Sequence, residues 1–156
     1  MKAEQVAIRR ATADDAAAVR DIVLRGLRET NARDYPASVI DRLVQTLPDK
    51  VASSLTIWHA FVAIVDARVV GTASLSGDTV KSVFVHPDHQ RAGVATRLMD
   101  ALESAARAEA IHVLNLQSSI TAQPLYARCG FDVVREEFYG EERTIVMSKD
   151  ISGPPE

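Results

Sequence analysis

From His59 to Val85 the chain passes through three runs rich in β-branched residues, HAFVAIV, RVVGTASL and TVKSVFV, parted only by Asp66-Ala67 and Ser76-Gly77-Asp78. Spacers this short join neighbouring antiparallel strands, because a parallel return needs a crossover of a dozen residues or more. The middle of the chain is therefore expected to be an antiparallel meander.

The flanking sequence changes period. Val6 to Arg10 alternates like a short strand, and Thr12-Ala13-Asp14-Asp15 has the form of a capping box ahead of a helix carrying Ala16, Val19, Ile22, Val23 and Leu27. Asn31 to Pro36 breaks that helix. Pro36 suits the opening of a second one with Val39, Ile40, Leu43 and Leu47, and past Pro48 the pattern loses its period. A long amphipathic helix is expected from about Arg91 to Glu109, with Val94, Leu98, Ala101, Leu102 and Ala105 on its apolar face. Ile111 to Leu116 reads as a strand, Thr121 to Cys129 as a short helix ended by Gly130, and Phe131 to Val134 as another strand. Arg143 to Met147 closes the sheet through a turn near Tyr139-Gly140. The expectation is one α+β domain over residues 1–150, with a disordered tail over 151–156. Its mixed, mostly antiparallel sheet would have about seven strands flanked by about four helices, in the order β-α-α-β-β-β-α-β-α-β-β.

Composition narrows the function classes. At 156 residues the chain can bury one sizeable core but not two. Its net charge of −3 offers no global basic field to nucleic acid or an anionic membrane, so an anionic ligand needs a local site. The single cysteine, Cys129, excludes an intrachain disulfide and fits a reducing compartment. No run of 18 apolar residues and no apolar signal core is present, so a cytoplasmic location is expected.

The segment Val83 to Thr96, VFVHPDHQRAGVAT, is where such a local site is legible. An apolar strand stops at Pro87, which cannot donate a ladder bond. The chain then enters a helix through Gln90-Arg91-Ala92-Gly93-Val94-Ala95, with no bulky side chain at Ala92, Gly93 or Ala95. A backbone that bare can approach a pyrophosphate, and the positive end of the helix favours its charge. The competing reading is that Gly93 and Ala95 only let helix and strand pack closely. His86 and His89 lack a carboxylate or cysteine partner in the sequence, so no metal site is expected, and both read as solvent-facing turn residues.

These residues carry a resemblance. Gln90-x-x-Gly93-x-Ala95 after Val85-His86-Pro87 resembles the Q/R-x-x-G-x-G/A motif of the GNAT superfamily of acyl-CoA-dependent N-acyltransferases. Leu125-Tyr126-Ala127-Arg128-Cys129-Gly130-Phe131 resembles that family's Y-x-x-x-G-F signature, and the element order is also the family's. The resemblance implies an N-acetyltransferase that uses acetyl-CoA and no metal. Val83, Phe84 and Val85 would offer backbone groups to the pantetheine arm, and Gln90, Arg91, Ala92, Gly93, Val94, Ala95 and Thr96 would cradle the pyrophosphate. Ser119 stands where many members carry a cofactor-binding asparagine. Tyr126 matches the general acid that protonates departing CoA; the competing reading makes it a core aromatic. Tyr35, and Tyr139 with Glu141 and Glu142 in the final hairpin, are candidates to line the acceptor site, the competing reading being solvated loop residues, and the acceptor would be a small-molecule amine or a peptide amine. The resemblance also allows a homodimer.

One departure bears on chemistry. Lys81 occupies the strand position where many relatives place a glutamate base, and a charged lysine cannot take that role; Asp78 or a water chain are the substitutes considered. That departure motivates the alternative reading, a non-catalytic acyl-CoA-binding sensor or partner-binding domain.

Overall fold

The computed structural model of the protein describes residues 5–90 and 92–153. The first strand, β1 (Ala7–Arg10), leads into a short 3₁₀ turn and helix α1 (Ala16–Glu29), then α2 (Ala37–Ser54). The meander follows as β2 (His59–Val65), β3 (Arg68–Ser76) and β4 (Thr79–Val85). After it come α3 (Val94–Ala108), β5 (Val113–Ser119), α4 (Gln123–Arg128), β6 (Asp132–Tyr139) and β7 (Glu142–Asp150). The strands form one seven-stranded sheet in the order β1-β2-β3-β4-β5-β7-β6, in which only the β4–β5 pairing is parallel. The expected fold class is the observed one.

Helices cover both faces of the sheet, and alternation along the strands divides the core accordingly. On one face, Val19, Val23 and Leu27 of α1 and Val51 of α2 pack with Ala60 and Val62 of β2. On the other, Leu98, Met99 and Leu102 of α3 pack with Ala63, Val70, Ala73, Leu114 and Met147. α3 comes down onto β3 at Gly71, where an added Cβ would lie 3.0 Å from Val94 Cγ1 and 3.1 Å from Leu98 Cδ1. This contact fixes the start of α3 relative to the strands.

The structure departs from the sequence reading in four places. α2 continues through Pro48 to Ser54, because Val51 and Leu55 extend its apolar face into the α1 layer and that burial outweighs the missing hydrogen bond. β6 is twice the expected length, because the Gly140-Glu141 turn zips it to β7 as far as Asp132↔Ser148. His86, expected in solvent, is buried; burial and then the Arg25 guanidinium, 2.6 Å from Nε2, push its pKa down and keep the ring neutral. Ordered packing also runs past residue 150, since Ile151 is buried in the core and donates its N–H to His112; residues 154–156 lie outside the described residues.

The entry to α1 carries the one buried acid with a full set of partners. Both oxygens of Asp15 receive the Arg9 guanidinium at 2.9 Å, and Oδ2 also accepts the Thr12 N–H at 2.8 Å. Arg9 is the main cause that holds the Asp15 carboxyl below its ordinary range. A lowered folded pKa gives stability that is present above the unfolded value and is lost as pH falls through the folded one. Asp15→Asn should therefore cost about 1–2 kcal/mol at neutral pH, with the gap to the wild type closing in acid; urea titrations across that range measure it. Gly71→Val should cost about 1–3 kcal/mol by overpacking against α3, read as a lower urea midpoint with an unchanged m-value.

Candidate functional site

β4 and β5 are paired at only Thr79↔Asn115 and Val80↔Leu116. Beyond that point β4 carries a bulge: its register against β3 shifts between Ser74↔Lys81 and Thr72↔Phe84, and Ser82 sits at φ +58°. A bulge bends its strand and strengthens the local twist. β5 meanwhile stays paired with β7 as far as Ser119↔Thr144. The two strands part, and a cavity of about 740 Å³ opens between them. Residues 83–85 pair with β3 or lie in its bulge on one side and have no ladder partner on the β5 side.

At one end of the cavity stands the start of α3. Gly93 holds φ +78°, and a Cβ there would meet nothing within 4 Å. That removes the packing reading of Gly93. The packing glycine is Gly71; Gly93 is required for the left-handed turn that brings the chain into the helix. The first turn of α3 carries no acidic side chain to compete for its N–H groups, and residues 93–96 line the cavity. Gln90 lines it as well, with its amide 3.4 Å from the Thr30 hydroxyl on the opposite wall. Ala92 is exposed and does not line the cavity, and Arg91 lies outside the described residues. Helix N-terminus, bare backbone and unpaired strand together fit a ligand that has a diphosphate at one end and an amide-bearing arm beyond it.

Tyr126 lies on the α4 side. α4 begins after Ser119 accepts the Ala122 N–H at 3.1 Å, so that serine hydroxyl caps the turn as well as lining the cavity. Gly130, at φ +95°, ends the helix, and Phe131 packs edge-on against Tyr126 with ring centroids 6.0 Å apart. The Tyr126 ring is 6% exposed and lines the cavity, and among the described residues its hydroxyl has no hydrogen-bond partner. Burial pushes its pKa well up, which favours the protonated phenol. The neighbouring Cys129 thiol is half-buried and is also pushed up by burial, which keeps it a thiol and a poor nucleophile.

The wall opposite the donor end is partly polar. Gln117 and Ser119 are two apart on β5 and so share a face. The Gln117 amide nitrogen lies 3.0 Å from Glu137, 2.9 Å from the Tyr139 hydroxyl and 2.9 Å from Thr144, three partners that share its two N–H groups. Tyr35 and Tyr139 both line the cavity. The Tyr35 hydroxyl, however, donates to the Arg143 carbonyl at 2.5 Å and accepts the Ile120 N–H at 2.9 Å. Its first role is to tie the segment after α1 to the end of β5. Glu142 of the hairpin lines the cavity and Glu141 does not, whereas Gln117, Thr144, Leu43 and Leu47 line it and were not singled out as site residues from sequence. The spacing of Gln117 from Ser119 was the one available signal.

Lys81 is turned away from the cavity, its ammonium 5.8 Å from the centre of the Trp58 ring. Asp78, considered as a substitute base, does not line the cavity either: it sits in the β3–β4 turn, bonded to Thr79 and to the Asn115 amide. Among the described residues that line the cavity, Glu142 is the one carboxylate. No group of three or more metal-ligating side chains is found among the described residues, and no helix there is long and apolar enough to cross a membrane.

Comparison with known proteins places this geometry. Residues 35–149 match the family model of the acetyltransferase (GNAT) domain. YafP, an uncharacterized N-acetyltransferase of Escherichia coli strain K12, is 28% identical over 116 residues, which are 74% of each chain. A crystallised GCN5-related N-acetyltransferase of Rhodopseudomonas palustris superposes with a TM-score of 0.90 at 25% identity, over 97% of this chain and 99% of that one. The Salmonella typhimurium protein yncA, solved with its cofactor acetyl-CoA, gives a TM-score of 0.67 at 25% identity over 94% of both chains. With a family model matched over most of its length, and with the forked sheet that the cavity requires, the chain belongs to the GNAT family of acetyltransferases.

Proposed function

We propose that the protein transfers an acetyl group from acetyl-CoA to a primary amine by direct attack in a ternary complex, with Tyr126 as general acid. The observation that carries this reading is the Tyr126 phenol, buried at the cavity wall with its proton in place and no protein partner to hold it. The related protein yncA was solved with acetyl-CoA, which supports that donor here.

In this reading acetyl-CoA is a cosubstrate that brings the activated thioester. The N–H groups of residues 94–96 hold the diphosphate, and the unpaired edge of β4 at 83–85 receives the pantetheine arm. A backbone N–H of that edge polarises the thioester carbonyl. The amine arrives in its neutral form and attacks the carbonyl carbon; the carbon–sulfur bond breaks, the sulfur takes the proton of Tyr126, and the proton shed by the new amide nitrogen passes to solvent, from which Tyr126 regains its own. Burial weakens the phenol as an acid, but the same dry surroundings raise the basicity of the departing thiolate, so donor and acceptor stay matched.

A Tyr126→Phe variant should keep its affinity for acetyl-CoA and lose about 100-fold or more in turnover. Calorimetric titration with acetyl-CoA and thiol release with a panel of primary amines read the two effects separately. Turnover at the wild-type level would make Tyr126 structural. Tight acetyl-CoA binding with no turnover of any amine by the wild type would favour a sensor of the cofactor.

A further inference from the structure

The turn that carries the chain from β4 to the start of α3 hangs on one side chain. His86 is 6% exposed, and its backbone N–H is given to the Val70 carbonyl of β3 at 2.8 Å. It precedes a short 3₁₀ turn, Pro87–His89, and its Nδ1 lies 3.1 Å from the Asp88 nitrogen, where it caps that turn. The Arg25 guanidinium of α1 reaches the other ring nitrogen, Nε2, at 2.6 Å. His86 does not line the cavity, but His89 and Gln90 at the end of the turn do, beside residues 93–96. The ring therefore meets α1, β3 and the turn at the point from which the entry to α3 is built.

Both partners of the ring are donors. A neutral imidazole has one nitrogen free to accept, so it either caps the turn through Nδ1 or holds Arg25 through Nε2. An imidazolium can do neither, since both nitrogens then carry hydrogen. The charged and titratable groups around the ring are Arg25 from α1, Arg68 from β3, and Asp88 and His89 from the turn. Burial and then Arg25 hold the ring below its ordinary pKa, and His89 and Arg68 act in the same direction. The exposed Asp88 carboxylate, 3.9 Å from Nδ1, opposes them.

We propose that His86 is a positioning residue for the diphosphate: its uncharged ring holds the turn that sets residues 93–96 in place, so that acetyl-CoA is gripped at neutral pH and loosened in mild acid. This inference rests on reading the entry to α3 as the site of the acetyl-CoA diphosphate. When the ring gains a proton, the Asp88 N–H loses its acceptor and a second cation faces Arg25. The turn is then no longer fixed to the body of the protein, and the N–H groups at the head of α3 lose their common aim.

The affinity of the full chain for acetyl-CoA is measured by calorimetric titration from about pH 8 to about pH 5.5, the range in which a histidine changes charge. Wild type, His86→Asn and Arg25→Met are compared. Asparagine offers the Asp88 N–H an oxygen that does not titrate, but it gives up the contact with Arg25. His86→Asn should therefore bind about threefold more weakly at the upper end of the range, and the wild type should lose about tenfold more affinity than this variant on going to the lower end. Both proteins carry His89 and meet the same ligand phosphates, so those titrations cancel in the comparison. Arg25→Met removes the cation that opposes the imidazolium, and its loss of affinity should begin at higher pH than that of the wild type. Parallel profiles for wild type and His86→Asn overturn the inference and leave the acetyl-CoA reading standing. An Arg25→Met profile that stays in place, or moves to lower pH, does the same. Failure of the wild type to bind acetyl-CoA at any pH overturns the acetyl-CoA reading, and this inference with it.

Discussion

A sheet whose strands stay hydrogen-bonded from end to end has no room between them, since neighbouring strands lie only about 4.8 Å apart. This sheet makes room because β4 and β5 separate after the pairs at Thr79 and Val80. Other features depend on that separation. It leaves the edge of residues 83–85 unpaired, it exposes Tyr126 on α4 to a cavity, and it makes α3 start at the mouth of that cavity instead of over a closed sheet. The bulge at Ser82 bends one arm, and β7 together with the Tyr35 hydroxyl holds the other. Without both holds the two arms would be free to pair and close the gap.

The site draws its electrostatics from backbone more than from side chains. The net charge of the chain is negative, and the described rim of the diphosphate end is built from helix N–H groups and small residues. Side-chain charge gathers instead on the acceptor side, where Glu137 is held below its ordinary range by Arg135 and then Tyr139, and Glu142 by geometry faces Arg42. An ion pair at such an exposed surface contributes little on its own. The buried Tyr35, with two hydrogen bonds to backbone, gives that side its fixed point.

Much of this was legible in the sequence, for physical reasons that differ between elements. The meander was legible because hairpin spacers of two or three residues leave one topology open, and Asp66 and Ala67 do adopt the left-handed pair of angles that a two-residue hairpin demands. The cavity wall at the start of α3 was legible because a glycine at a helix entry and a strand stopped by proline lie close together in the chain. The wall beside the hairpin was legible only in part: Tyr35, Tyr139 and Glu142 were expected to line a site, but the pairing of residues a hundred positions apart, such as Arg42 and Glu142, has no local pattern. Pro48 misled for a related reason: the burial of Val51 and Leu55 that carries α2 onward is tertiary. The bulge at Ser82 had no signal, since serine is an uncommon choice for a left-handed position.

The length of chain that the Tyr35 hydrogen bond encloses bears on how the protein is made. Tyr35 and the Arg143 carbonyl it holds are separated by 108 residues. β1 to β4 and the first two helices pair and pack with one another on one face of the sheet, while the other face of β2 and β3 waits for α3. β5, however, reaches its place beside β7 only when the last strand has emerged, and Tyr35 finds its partner at the same moment. The unpaired edge of β4 and the start of α3 are therefore close in sequence, whereas the contacts beside the hairpin close across a long loop whose entropy must be overcome first. A chain interrupted before β7 would carry the start of α3 and the unpaired edge of β4 but not the cavity wall that Glu142 and Thr144 supply.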